Sequence, residues 1–158
     1  MKISIKCRFT YKILFEGEYE STRNAVEDAA KRNISLSGSD LSYSDLSGSD
    51  LRGSDLSGSD LRGSNLSGSD LSGEKLTISP LQIIGFRWNI LVTPEYLKIG
   101  CQRHKHSEWK AFKRTDIAPM ASNAWDWWKE HKDFLMSACE LHRKQSDIEV
   151  NAAKEKAA

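Results

Sequence analysis

The sequence lacks the features that mark a membrane protein, a secreted protein or a common hydrolase. It contains no run of about eighteen apolar residues, the length that crosses a bilayer. Residues 1–20 lack the apolar core of a signal peptide, and the three cysteines are odd in number and widely spaced, which suits reduced thiols. A nucleophile elbow, a phosphate-cradling glycine loop and an HExxH motif are also missing. These absences predict a cytoplasmic protein that is not an enzyme.

Overall charge is also small, although it is unevenly placed. The formal net charge of the 158 residues is +1, which gives no general attraction to nucleic acid. Residues 35–73 contain six aspartates but only two arginines, Arg52 and Arg62. The acidic stretch coincides with the most regular part of the sequence.

Leucine returns at every fifth position through this acidic stretch. A period of five matches neither the 3.6 residues of a helical turn nor the two-residue alternation of a strand. Most of the leucines stand in the unit Ser-Asp-Leu followed by Ser or Arg and then Gly, which indicates a coil that turns a corner in each unit and stacks its leucines. The leucines are Leu36, Leu41, Leu46, Leu51, Leu56, Leu61, Leu66, Leu71 and Leu76.

These units resemble the motif of the pentapeptide-repeat family, which is a small residue, Asp or Asn, Leu, a polar residue and a variable one. The resemblance implies a right-handed quadrilateral β-helix with four units per turn and each Leu pointing inward. Serine fills the second inward position, where alanine is usual, and each hydroxyl needs a partner because a buried unpaired one costs about 1–3 kcal/mol. These serines are Ser39, Ser44, Ser49, Ser54, Ser59, Ser64 and Ser69.

Residues twenty apart stack in such a coil, so the repeat predicts two short carboxylate ladders. Asp40 falls over Asp60, and Asp50 falls over Asp70. The ladders could mimic the phosphates of duplex DNA, or the aspartates could simply bond the backbone of nearby turns. About two coils, at about 4.8 Å per rung, are short for a duplex mimic, which favours the second interpretation. If the five-residue repeat continues to this point, Lys75 stacks on residue 55 of the preceding turn.

The predicted fold class is mainly β with α+β caps around a short β-helix of about two coils. An N-terminal cap of two strands and a helix would cover the unpaired edge of the first rung. A β-hairpin and helices would follow the coil, with a long last helix from about Ala124 to about Lys144. The predicted segments are 1–33 (hairpin-helix cap), 34–80 (β-helix), 81–144 (C-terminal α+β module) and 145–158 (frayed or disordered tail).

Two Cys-x-x-His pairs are the sharpest candidate for a metal site. Cys101 and His104 form the first pair, and Cys139 and His142 form the second on one face of the last helix. Four ligands of the Cys₂His₂ type suit a closed structural zinc site. A buried cysteine with surface histidines is the alternative. We therefore expect no cofactor, with zinc as the alternative.

A dense group of tryptophans is the candidate for contact with a partner. Four of the five tryptophans lie between 109 and 128. They either form a small core or present an anchor, since tryptophan is enriched at binding hot spots. Helical periodicity leaves Trp125 outward, and a basic run beside Trp109 could contact phosphate or be a solvated face. The predicted partner-binding residues are Trp125, Trp109, Arg103 and Lys105.

The family resemblance also implies a function in binding. Some pentapeptide-repeat proteins inhibit DNA-processing enzymes by mimicking duplex DNA, and small phage-encoded proteins of this kind block host nucleases or defence systems. We therefore expect a phage-type, cytoplasmic inhibitor that binds a host nuclease, topoisomerase or defence complex by protein–protein interaction, with no membrane contact and with direct nucleic-acid binding less favoured. The alternatives are a zinc-stabilised nucleic-acid-binding module and a structural phage assembly component. Coil ends and outward tryptophans would favour a homo-oligomer.

Overall fold

The computed structural model describes residues 1–157. The chain divides into two compact units, unit 1 from Met1 to Gln82 and unit 2 from Ile83 onward. Within residues 1–157, no helix combines the length and the apolar content that crossing a membrane requires. Each unit is described by its own strands, helices and core.

Unit 1 begins with a hairpin and a helix. Strand β1 (Lys2–Lys6) pairs antiparallel with β2 (Ile13–Glu18), and helix α1 (Thr22–Lys31) follows. The hydroxyl of Ser21 accepts the N–H of Asn24 at 3.2 Å and so caps the helix. The buried face of α1 consists of Ala25, Val26, Ala29 and Ala30.

The repeats form a β-helix-like coil in which residues twenty apart pair in parallel. Asp40 bridges Asp60, and Asp45 bridges Asn65. Two parallel strands continue the coil and an antiparallel one ends it: β3 (Asp50–Leu51), β4 (Asp70–Leu71) and β5 (Glu74–Lys75). Eight of the nine leucines are buried, and Leu56 is half-buried. The leucine column expected from the period is therefore present.

Hydrogen bonds satisfy the buried serines of the coil. The hydroxyls of Ser49, Ser64 and Ser69 each donate to the carbonyl three residues earlier, at 2.6–2.7 Å. Ser39 donates to the hydroxyl of Ser59 at 2.9 Å, and that hydroxyl donates onward to a carbonyl. Serine can therefore replace alanine inside the coil without leaving these hydroxyls unpaired.

The coil ends earlier than the five-residue spacing of its leucines suggests. Ser72 and Gly73 both have positive φ, 54° and 82°, as a type I′ hairpin turn requires. The chain therefore reverses, and Lys75 lies opposite Asp70 in an antiparallel pair. The predicted register, which placed Lys75 one turn beyond residue 55, is wrong.

Unit 2 combines a small antiparallel sheet with three helices. Strand β7 pairs with β8, and β8 pairs with β9. The chain passes from unit 1 to unit 2 within β6. The elements are β6 (Leu81–Ile83), β7 (Ile90–Val92), β8 (Tyr96–Ile99), β9 (Gln102–Lys105), α2 (His106–Ala111), α3 (Arg114–Ile117) and α4 (Ala124–Ala157).

Helix α4 is longer than the sequence predicted. The segment 145–157, expected to fray, continues the helix to Ala157, and Ser146 is buried. It contains neither glycine nor proline and is rich in Ala, Glu and Lys, which have high helix propensity. Residue 158, the last of the predicted tail, lies outside the described residues.

Candidate functional site

The ladder aspartates lie in register, but each one bonds its own turn. Asp40 is opposite Asp60, and Asp50 is opposite Asp70. In Asp40, Asp50 and Asp60 the carboxylate accepts the N–H of the residue two positions later, at 3.1–3.2 Å. Asp70 accepts the N–H of Gly73 at 2.9 Å. This is the turn-stabilising use of aspartate, and it accounts for the residue in each unit.

Two arginines form ion pairs with three of the four ladder carboxylates, since Arg52 also lies 3.8 Å from the carboxylate of Asp70. Arg52 bonds Asp50 at 2.8 Å, and Arg62 bonds Asp60 at 2.6 Å. The hydrogen bond from Arg52 lowers the pKa of Asp50 to about 2. The bond from Arg62 likewise lowers the pKa of Asp60, which is only 5% exposed. Ladders that are half neutralised are poor substitutes for the unbroken charge of a phosphate backbone.

The structure does not bring the four predicted zinc ligands together. Cys101 is exposed after β8, whereas Cys139 is buried in the core of unit 2, where burial raises the pKa of its thiol to about 12. The ring of His104 packs edge-on against two aromatic rings, and burial lowers the pKa of His142. Across the described part of the chain, no three His, Cys, Asp or Glu side chains are grouped so that they could hold a metal ion. The Cys-x-x-His spacing instead reflects strand and core packing.

The predicted partner-binding residues are mostly engaged within unit 2. Trp109 is 2% exposed and its indole nitrogen donates to a backbone carbonyl at 2.7 Å, so the prediction that it contacts a partner is wrong. Trp125 is half-buried against the same core rather than outward. The guanidinium of Arg103 lies 3.6 Å from the centre of the Tyr96 ring. Lys105 is exposed, and its backbone N–H bonds a carboxylate at the start of α2.

Large exposed aromatic side chains occur in unit 1, where the sequence had not pointed to them. Tyr43 is 85% exposed, Tyr11 is 77% exposed and Phe9 is 66% exposed. Phe9 and Tyr11 lie in the tip of the hairpin between β1 and β2. The sequence signal was available there, because the tip interleaves these rings with Lys and Arg, but the segment was predicted only as part of a capping hairpin.

Tyr43 interrupts the repeat at a corner of the coil. The equivalent corner residues in the other units are glycines with φ between 64° and 82°. Tyr43 has φ of 57°, a left-handed conformation that costs an L-residue about 1–2 kcal/mol. Its ring lies across Gly63, where even a Cβ atom would overlap the ring. A tyrosine in a column of glycines is the signal that could have singled it out.

Unit 1 itself covers edges of its coil. On the first turn, the N–H of Asp40 donates to the carbonyl of Lys6 at 2.8 Å. On the last turn, the N–H of Leu61 donates to the side chain of Gln82 at 2.9 Å. On each of these two edges, a second backbone N–H donates to a side-chain oxygen. Because these positions are occupied, they offer no free strand edge for the self-association expected of open coil ends.

These features define a class of protein, a repeat coil with a β-helix-like fold in which every fifth residue is an inward leucine. Residues 34–73 match the model of the family described as Pentapeptide repeats, in eight copies, which confirms the resemblance seen in the leucine spacing. Residues 34–73 are therefore pentapeptide repeats, and proteins that contain such repeats are generally structural or interaction proteins rather than enzymes. No curated protein and no solved structure matches the chain.

Proposed function

We propose that the chain is a non-enzymatic, phage-type protein that binds and inhibits a host DNA-acting or defence protein. One observation carries this proposal. The coil uses its own serines and aspartates for internal hydrogen bonds, yet unit 1 presents large aromatic rings to solvent from the coil and from the hairpin tip. Exposed tyrosine on a rigid support is typical of a binding surface, because such rings supply much contact area at little cost in conformational entropy.

The coil then acts as a stiff scaffold. Eight units at four per turn make about two turns of a right-handed quadrilateral β-helix. The hairpin and helix α1 serve as its N-terminal cap, since Cys7 bridges Ser39 and Arg23 donates to the carbonyl of Gly48 at 2.9 Å. A capped coil of this length resists end-to-end growth and holds the attached rings in place.

The expected target is a host nuclease, topoisomerase or defence complex in the host cytoplasm. Phosphate mimicry by the ladders receives little support, because their carboxylates bond turns and arginines. Inhibition by occlusion, in which the protein covers a working surface of its target, fits better. A zinc-stabilised module has no support from the separated cysteines and histidines.

The direct test is to titrate the purified protein into assays of host topoisomerase, nuclease and defence activities. We expect one of these activities to fall at a stoichiometric ratio of protein to target. A ladder variant, Asp40→Asn with Asp70→Asn, keeps an oxygen acceptor for each turn and is expected to inhibit equally well. Loss of inhibition in that variant would instead support mimicry.

A homo-oligomer that inhibits none of these activities would contradict the proposal and favour the structural assembly component. Native mass spectrometry of the same preparation reports the number of subunits. We expect a complex of the chain with its target at a fixed ratio.

A further inference from the structure

The hairpin tip and the adjoining corner of the coil carry one aromatic–basic surface, made of Arg8, Phe9, Tyr11, Tyr43 and Arg62. We propose that this surface binds single-stranded nucleic acid, with unpaired bases stacked on the rings and phosphates against the cations. The proposal goes beyond inhibition of a protein target and does not depend on it. An inhibitor of a DNA-acting protein with such a surface would contact both the protein and the strand that the protein handles.

Contacts within unit 1 link the tip to the corner of the coil at Gly38 and Gly58, which precedes the corner at Tyr43 by one five-residue unit. The backbone N–H of Arg8 donates to the carbonyl of Gly38 at 2.8 Å, and its guanidinium reaches the carbonyl of Gly58 at 3.4 Å. The ring of Phe9 lies against Gly38. Arg8 and Arg62 both act on Asp60, and Arg62 also lies within electrostatic range of Tyr43.

The charge on this surface suits a polyanion. Residues 6–12 include Lys6, Arg8 and Lys12 and contain no acidic residue. The carboxylate of Asp60 is nearly buried and ion-paired with Arg62, so this pair adds no net charge and the excess positive charge of the surface lies in the hairpin tip. Lysines and arginines that approach phosphates release counterions, which drives binding at low salt.

The rings are exposed, and hydrogen bonds hold the backbone of the tip that carries two of them. In the tip, the N–H of Cys7 donates to the carbonyl of Lys12 at 2.8 Å, and the N–H of Tyr11 donates to the carbonyl of Cys7 at 2.9 Å. The guanidinium of Arg8 lies 4.9 Å from the centre of the Phe9 ring. Fixed aromatic rings beside cations are the elements with which proteins bind single strands.

Backbone strain points to the same two tyrosines. Tyr11 and Tyr43 have φ of 59° and 57°, in the left-handed region that glycine occupies more easily. Neither side chain is buried, so burial of the ring in the core does not compensate for the strain. Strained residues retained at exposed positions are candidates for function.

Unpaired bases fit these rings better than the alternatives do. In a duplex each base is already stacked and its faces are hidden, so only an unpaired base can cover a tyrosine ring. An acidic protein surface would match the cations but would leave the flat faces of the rings without an equivalent partner. The combination of cations with exposed rings therefore favours a single strand.

The test is fluorescence anisotropy of the full chain with a labelled oligothymidylate of about 12 nucleotides at about 50 mM salt. The test variant carries Tyr11→Gly and Tyr43→Gly, which remove the rings and relieve the backbone. The matched control is Ser72→Gly, a residue with φ of 54° and no ring. We expect the double variant to bind at least about 10-fold more weakly and the control to bind as the wild type does.

A second pair of variants tests the charge. Lys12→Gln should lower the slope of log affinity against log salt by about one unit, whereas Lys2→Gln should not, because Lys2 is paired with Glu16 at 3.1 Å. If the double variant has a lower unfolding midpoint, this salt slope and the preference of the wild type for a single strand over a duplex together decide the proposal.

Several results would overturn the proposal. The first is that the wild type does not bind the oligonucleotide, and the second is that the double variant binds as tightly as the wild type at an unchanged unfolding midpoint. The third is that the wild type binds a duplex of the same length with equal affinity, which would show that phosphate attraction alone drives binding. Loss of enzyme inhibition in the double variant, without oligonucleotide binding by the wild type, would make the surface a protein interface. Oligonucleotide binding without enzyme inhibition would leave this proposal standing and remove the inhibitor function.

Discussion

Unit 1 and unit 2 are organised by different rules. In the coil of unit 1, a five-residue unit gives each position one role: inward leucine, inward bonded serine, turn-bonding aspartate, corner glycine. The core of unit 2 joins distant segments, as where Trp109 bonds the carbonyl of Leu97 and its ring lies 5.0 Å from that of Trp128. In unit 1, a residue that departs from the five-residue repeat is therefore a candidate for function. Unit 2 has no sequence repeat, so its functional residues cannot be recognised in this way.

The largest effect is expected from the aromatic core of unit 2. Trp128→Ala should lower the free energy of unfolding by about 3–5 kcal/mol, because its side chain is 1% exposed and leaves a cavity. Trp125→Ala, at the half-buried neighbour, should cost clearly less. Denaturant titrations of both variants provide the comparison. A larger loss for Trp125→Ala would show that the core is centred elsewhere.

The corresponding test in unit 1 uses the leucine column. Leu46→Ala should lower the free energy of unfolding by about 3–5 kcal/mol, since Leu46 is fully buried. The half-buried Leu56 serves as the matched position, and Leu56→Ala should cost less because the shortened side chain leaves a smaller void. Equal losses of unfolding free energy, measured by chemical denaturation, would mean that the burial of each leucine does not determine its contribution to stability.

The two units also differ in how far their sequence predicts them. The leucine period, together with the four units per turn that the family resemblance implies, predicted the parallel pairing of Asp50 with Asp70. It did not predict the end of the coil. Leu-Ser-Gly at 71–73 has the same sequence as at 46–48, but only Ser72 adopts positive φ, since the chain then reverses into β5.

Side-chain exposure in unit 2 could not be predicted from periodicity. The helical pattern placed Trp125 outward, yet the side chain packs against residues of other elements that the pattern does not contain. The exposed rings of the aromatic–basic surface were missed for a related reason. Alternation indicates which residues share a face of a strand, but it does not show whether that face is covered.

Cysteine reactivity should separate the units without changing their stability. Burial raises the pKa of Cys139 in unit 2 to about 12, while a hydrogen bond from the Thr10 side chain lowers the pKa of Cys7 in unit 1. At pH 8 the Cys139 thiol is therefore neutral, and it should react about 1000-fold more slowly than an ordinary thiol. Mass spectrometry after alkylation should find Cys7 and Cys101 labelled in the native protein and Cys139 only after unfolding. Rapid native labelling of Cys139 would contradict its burial.

A smaller effect should appear at the ladder carboxylates. The pKa of Asp50 is held at about 2 by Arg52, so the pair stabilises the fold above the ordinary aspartate pKa of about 3.9. That stabilisation is lost as the pH falls through the folded-state value. In Arg52→Gln, NMR titration should show the pKa of Asp50 rising toward its ordinary value, whereas Arg62→Gln should leave it unchanged. If the pKa of Asp50 in Arg52→Gln stayed at its wild-type value, the hydrogen bond from the turn N–H alone would set that pKa.

In the proposed function, the repeat is structural and its interruption at Tyr43 serves binding. The most direct measurement is the free energy of unfolding of Tyr43→Gly, which restores the corner residue of the other units. Relief of the left-handed backbone should offset the added chain entropy of glycine, so the variant should match the wild type within about 0.5 kcal/mol or exceed it. A loss of more than about 2 kcal/mol would show that the ring over Gly63 stabilises the coil, and would contradict a role in binding.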